Sequence, residues 1–166
     1  DFEYPDTASE SWKVTKPRSE IKATKEQNDR TSKNMRHLAR MARAWKNANG
    51  VNMGGLLIDT LVHRFFAQTE EYDSAGTGSF DLMVRDFFEF LAEEPDKEFY
   101  LALGSSQRVK VKARFQPKAK KAYKRCLEAI ADGRTPHKPS AHACRPLRPR
   151  STVVPWWRAR FDASAR

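Results

Sequence analysis

The chain has 166 residues, 39% of them hydrophobic and 31% charged, with a net charge of +10. That length suffices for one domain with a real core, and the basic balance favours an anionic partner such as a nucleotide or a nucleic acid. Two cysteines, Cys126 and Cys144, exclude a disulfide framework, and neither stands at metal-binding spacing. No apolar run approaches the length of a membrane span and no signal peptide is visible, so a cytoplasmic location without membrane contact is expected.

The charge is uneven. From Gly133 to Arg166 eight Lys/Arg face one acid, so +7 of the +10 belongs to this stretch. Five of the nine prolines lie there too, and the Trp156-Trp157 pair is its one large apolar feature. Residues 133–166 read as a disordered or PPII-like basic tail, with the Trp pair as the feature able to dock on the body. The chain starts at Asp1 rather than Met, as a processed product or partial reading frame does.

Residues 1–17 read as extended or looped. Pro5 and Pro17 disfavour helix at the residues before them, and Trp12, Val14 and Thr15 suit one short strand that needs a partner. Arg18–Asn28 reads as a polar helix capped by Ser19, with Glu20 in its first turn. Next comes the stretch that organises the chain, Thr31 to Phe66. Met35, Leu38, Ala42 and Trp45 form an apolar stripe at helical spacing, while Lys33, Arg36, Arg40 and Arg43 form a neighbouring basic one. Asn49 and Gly50 end that helix. After the turn Val51-Asn52-Met53-Gly54-Gly55, a second helix carries Leu56, Leu57, Ile58, Leu61, Val62, Phe65 and Phe66 nearly all round, which predicts burial.

Thr69–Gly78 is a loop by composition. Ser79–Glu94 is a third strong helix, buried through Phe80, Met83, Val84, Phe87, Phe88 and Leu91 and stopped by Pro95. Asp96–Leu103 suits a short helix with Phe99 and Tyr100 inward. A turn at Gly104-Ser105-Ser106-Gln107 and a brief extended piece at Val109 and Val111 follow. The last helix spans Phe115–Ile130. Phe115, Ala119, Ala122, Tyr123, Cys126, Leu127 and Ile130 lie on one side, and Lys118, Lys120, Lys121, Lys124 and Arg125 on the other. The expected fold is all-α: a helical bundle over residues 18–132, between the extended N-terminal arm and the basic tail.

No His-Glu-x-x-His, P-loop or Ser/His/Asp order is present. His37 and His63 read as surface or boundary helix residues, and His137 and His142 have no partners at ligand spacing. Asp73, Asp81 and Asp86 read as loop, cap and solvated helix residues rather than the convergent carboxylates a two-metal site needs. The basic stripe is either a solvated face or, with the lysine-rich face of the last helix, half of a polyphosphate site. The turn at Asn52–Gly55 opens a helix whose free N–H groups suit an anion; the plainer reading is a tight turn between packed helices.

The segment RMARAWKNANGVNMGGLLIDTLVHRFF (Arg40 to Phe66) resembles the hallmark segment of the bacterial cGAS/DncV-like nucleotidyltransferases. These are the cyclic-oligonucleotide synthases of anti-phage defence, related to oligoadenylate synthetases and poly(A) polymerases. YPDT and SWKVTKPRSEI (Tyr4–Thr7, Ser11–Ile21) resemble the connector leaving that family's catalytic sheet. RDFFEFLAEEPDKEFYLALGSSQRV and ARFQPKAKKAYKRCLEAI resemble its later helices. The likeness covers about residues 1–130.

The resemblance implies the helical second lobe of a two-lobed enzyme, which closes the cleft over a nucleoside triphosphate. It assigns the triphosphate contact to Arg43, with Lys46 as second choice, and a further contact to the start of the next helix through Asn52, Gly54 and Gly55. In the intact family enzyme, three carboxylates on the catalytic sheet hold two Mg²⁺ ions. This sequence departs there: Gly78-Ser79 is followed by Phe80-Asp81-Leu82-Met83, and no Gly-Ser motif with an Asp-x-Asp pair occurs. The expectation is a substrate-binding fragment that lacks the N-terminal catalytic core, binds no metal by itself and is inactive alone. The alternatives are a non-enzymatic helical module that binds nucleic acid through its basic tail, or a non-functional gene remnant.

Overall fold

The computed structural model describes residues 2–6 and 10–133. The tail from residue 134, with Trp156-Trp157, His137, His142 and Cys144, lies outside the described residues.

Helix α1 (Pro17–Arg30) begins on its proline, whose missing N–H costs nothing in the first turn. Ser19 is not the cap; the cap position is three residues earlier, at Lys16. Its end is a Schellman turn. The Lys33 N–H donates to the Asn28 carbonyl at 2.8 Å and the Ser32 N–H to Asp29 at 3.4 Å. Ser32 sits there at φ 49° and Lys33 at 73°, positions that usually hold glycine. Helix α2 (Asn34–Ala48) therefore starts after Lys33, which drops out of the predicted basic stripe.

Three buried polar residues weld this corner. The Asn28 side-chain oxygen accepts from the Arg36 N–H at 3.3 Å, and the Thr31 hydroxyl accepts from the Met35 N–H at 3.2 Å. The Asn34 amide donates to the carbonyls of Tyr72 at 2.8 Å and Ala75 at 2.9 Å, pinning the 69–78 loop. Polar groups this deeply buried persist only when bonded, so the corner has one geometry.

Helix α3 (Gly55–Gln68) is the core, with Leu57, Leu61 and Val62 fully buried. Its all-round apolar surface is covered by α1, α2, α4 (Phe80–Glu93) and residues 99–101 and 108–110. Phe65 lies at the middle of an aromatic cluster with Phe66, Tyr72, Phe87 and Phe90, at centroid separations of 5.4–6.1 Å. Helix α5 (Gln116–Ala131) packs along α4 through Ala119 and Ala122, with Phe115 buried at its start. Leu127, expected inward, is 43% exposed.

The chain is mostly helical but not all-α. Strands β1 (Phe2–Asp6) and β2 (Ser11–Thr15) pair antiparallel, Phe2 opposite Thr15 and Pro5 opposite Trp12. The expected lone strand thus finds its partner within the arm itself. A second hairpin joins β3 (Phe99–Leu101) to β4 (Arg108–Lys110). The short helix expected at Asp96–Leu103 does not form. The Tyr100 side chain points into the core while Phe99 and Leu101 face out, an alternation only a strand gives. The turn of this hairpin rests on α1 and β2: Ser105 Oγ donates to Glu20 Oε1 on α1 at 2.7 Å, and Gln107 Nε2 to the Val14 carbonyl on β2 at 2.7 Å. No helix among the described residues is long and apolar enough to cross a membrane.

Candidate functional site

The last turns of α2, the Val51–Gly54 turn and the start of α3 form one unit. Arg36 and Arg40 are exposed on α2, and Arg43 is half-buried one turn further on. Arg43 is answered across the helix interface. Its Nη2 donates to Asp59 Oδ1 at 2.6 Å and Oδ2 at 2.5 Å. Asp59 lies one helical turn after Gly55, so the guanidinium stands beside the opening turns of α3. Burial raises the Asp59 pKa above the usual carboxylate value, and Arg43 acts against that rise. One guanidinium nitrogen is used by Asp59, and the fork geometry leaves other N–H donors for an oxyanion.

Lys46 follows on the same face of α2, half-buried and without an ion pair among the described residues. Asn52 is exposed in the turn. Gly54 precedes α3 and Gly55 opens it, with no side-chain cap. The first intrahelical bond of α3 runs from the Ile58 N–H to the Gly54 carbonyl, so the amides of residues 55–57 have no partner within the helix. A methyl group at Gly54 or Gly55 would meet nothing within 4 Å, so this helix start is open. Arg43 is thus tied to α3 through Asp59, and Lys46 lies about one turn nearer the connecting turn on α2.

The two basic faces do not converge. The lysine-rich face of α5 meets α2 on the Trp45 side, about 200° round the helix from Arg43 at 100° per residue. Lys118 has a structural duty there. Its Nζ donates to the carbonyls of Asn49 and Gly50, both at 2.8 Å, and so caps the C-terminus of α2. Between α2, α4 and α5 runs an open groove of about 380 Å³. Its floor holds Trp45 and Phe88, ring centroids 4.9 Å apart, with Cys126 beside them. Lys118, Lys121 and Arg125 line its edge. Burial pushes the Cys126 thiol up, so it is uncharged at neutral pH.

The remaining polar candidates are structural. The Tyr72 hydroxyl donates to Asp86 Oδ2, and Arg85 Nε bonds the other oxygen at 2.6 Å. Asp86 is therefore a tethered, half-buried group rather than a solvated one. Asp73 pairs with Arg30 at 2.5 Å. Buried Glu94 accepts from Tyr100 at 3.0 Å and Arg64 at 3.2 Å, locking the second hairpin to α3 and α4. His37 is exposed against Phe80, and His63 is half-buried. Among the described residues no group of three or more His, Cys, Asp or Glu is placed to hold a metal ion.

Sequence reasoning missed Asp59 and the Trp45–Phe88 floor. Asp59 is the one acid in a largely apolar helix, a signal that it serves a cation on a neighbour. The groove left no signal, because Trp45 and Phe88 belong to two helices whose crossing no spacing rule supplies. The chain matches no protein-family model, no curated protein and no solved structure.

Proposed function

We propose that this chain is the nucleotide-holding helical lobe of a bacterial cyclic-oligonucleotide synthase. In this reading Arg43 and Lys46 contact the triphosphate and the open start of α3 receives a phosphate oxygen on its free amides. The observation that carries it is the placement of the Arg43 guanidinium beside the uncapped first turns of α3. A cationic fork next to free helix N–H groups is chemistry suited to a phosphate chain. Asp59 orients Arg43 through both of its carboxylate oxygens. In this reading the Mg²⁺-holding carboxylates and the nucleotidyl-transfer step are supplied by a catalytic core, and the helical lobe contributes substrate contacts. The chain alone holds the substrate and has no turnover.

Titration calorimetry of the full chain with ATP and AMP tests this. ATP is expected to bind at least tenfold tighter than AMP, and Arg43→Ala to remove that preference. Equal binding of the two nucleotides, or an unchanged preference in Arg43→Ala, would defeat the assignment. So would cyclic product formed by the pure chain.

A further inference from the structure

We propose that the groove between α2, α4 and α5 is a second binding site, separate from Arg43, which takes one nucleotide unit with its base against Trp45 and its phosphate on Lys121 and Arg125. Three observations carry it. The floor is aromatic: Trp45 is part-exposed over buried Phe88, at 4.9 Å between centroids, so a planar ring entering the groove meets the indole. The edge is cationic, and no carboxylate lines it. Lys121 and Arg125 stand one turn apart on α5, both exposed, and among the described residues neither forms an ion pair.

The division of labour among the cations sharpens the site. Lys118 is spent on the Asn49 and Gly50 carbonyls, which fixes the end of α2 and with it the placement of Trp45. Lys121 and Arg125 have no such task and remain available to an oxyanion. The neutral Cys126 thiol adds polarizable surface beside the rings without adding negative charge. A volume of about 380 Å³ lies at the small end of ligand clefts, a size for one base and its phosphate rather than an extended ligand. Aromatic surface edged by Lys and Arg is also how sequence-tolerant single-strand sites hold a base. A free nucleotide and an unpaired unit of a single strand offer the same chemistry to this groove.

The test uses the full chain and fluorescence anisotropy of fluorescein-labelled hexadeoxythymidine, with unlabelled AMP and ATP as competitors. Lys121→Glu/Arg125→Glu is expected to weaken binding at least tenfold. The charge-matched Lys25→Glu/Lys110→Glu, on exposed positions away from the groove, is expected to change it less than twofold. Trp45→Leu, which keeps the helix packing apolar, weakens it about fivefold or more. With one phosphate engaged, log K falls against log salt with a slope of about −0.7, against about −5.6 for binding spread over the eight cations of residues 133–166.

Displacement of the hexamer by AMP at comparable concentration identifies a free-nucleotide site; a hexamer that AMP does not displace identifies a single-strand site. Either supports the groove. No binding of any probe at 1 mM, about 4 kcal/mol of affinity, overturns it. Equal loss in the charge-matched control, with the steep salt slope, also overturns it. Arg43→Ala separates the two sites: it is expected to leave hexamer binding unchanged, and abolition there would overturn the groove while leaving the Arg43 reading in place.

Discussion

Gly104→Ala tests the docking of the second hairpin on α1. Gly104 holds φ at +69°, in the left-handed region, where a Cβ costs about 1–2 kcal/mol. A Cβ built there would also overlap the Ser19 carbonyl oxygen and stand 2.8 Å from the Ala23 Cβ. Backbone cannot swing aside as a lysine tip can, so relief requires the turn to lift off α1, an overpacking cost of about 1–3 kcal/mol. The sum is about 2–5 kcal/mol. Two other glycines supply the controls. Gly50, at φ +56°, has only the Lys118 Nζ near a built Cβ, at 4.0 Å, so Gly50→Ala carries the backbone cost alone, about 1–2 kcal/mol. Gly55 opens α3 with nothing within 4 Å, and Gly55→Ala is expected to be neutral or stabilising by up to about 1 kcal/mol. Urea unfolding followed by helical circular dichroism reads the series. With a slope of about 1.5 kcal/mol/M, Gly104→Ala lowers the midpoint by roughly 1.3–3.3 M and Gly50→Ala by roughly 0.7–1.3 M. If Gly104→Ala costs no more than Gly50→Ala, the turn does not rest on α1 and the reasoning fails.

Other expectations follow from the same geometry. Ser32 occupies a glycine position in the Schellman turn after α1, so Ser32→Gly is expected to raise stability by about 1 kcal/mol in the same urea experiment. Asn34→Ala removes the donor to the Tyr72 and Ala75 carbonyls. It should cost about 2–3 kcal/mol and open the 69–78 loop to limited proteolysis well before global unfolding. Burial, with a smaller push from Arg30, lowers the His63 pKa below 6.5, so the unfolded chain binds the proton more readily than the folded one. The stability held by neutral His63 is complete above pH 6.5 and is lost as pH falls toward the folded value. Melting temperatures measured between pH 7.5 and 5 should decline, and His63→Gln should flatten that part of the decline.

The helices were legible because each carries its own period. The stripe Met35-Leu38-Ala42 and the all-round apolar surface of Leu57–Phe66 predict where α2 and α3 stand and which is innermost. The stop at Asn49-Gly50 and the break at Pro95 are local backbone chemistry, readable without a fold. Arg43 and the Asn52–Gly55 turn were likewise visible as a basic helix face before an uncapped helix start. Both hairpins needed pairing to become strands. Phe99-Tyr100-Leu101 is too short for its alternation to be told from a helical turn until β4 lies beside it. Tertiary structure alone decided what the charges do. Position on a helix fixes only which face a side chain takes; the partner on the next helix decides whether that charge is spent or free. Thus Arg43 acquired Asp59, Lys118 became the cap of α2, and Lys121 and Arg125 were left open beside Trp45.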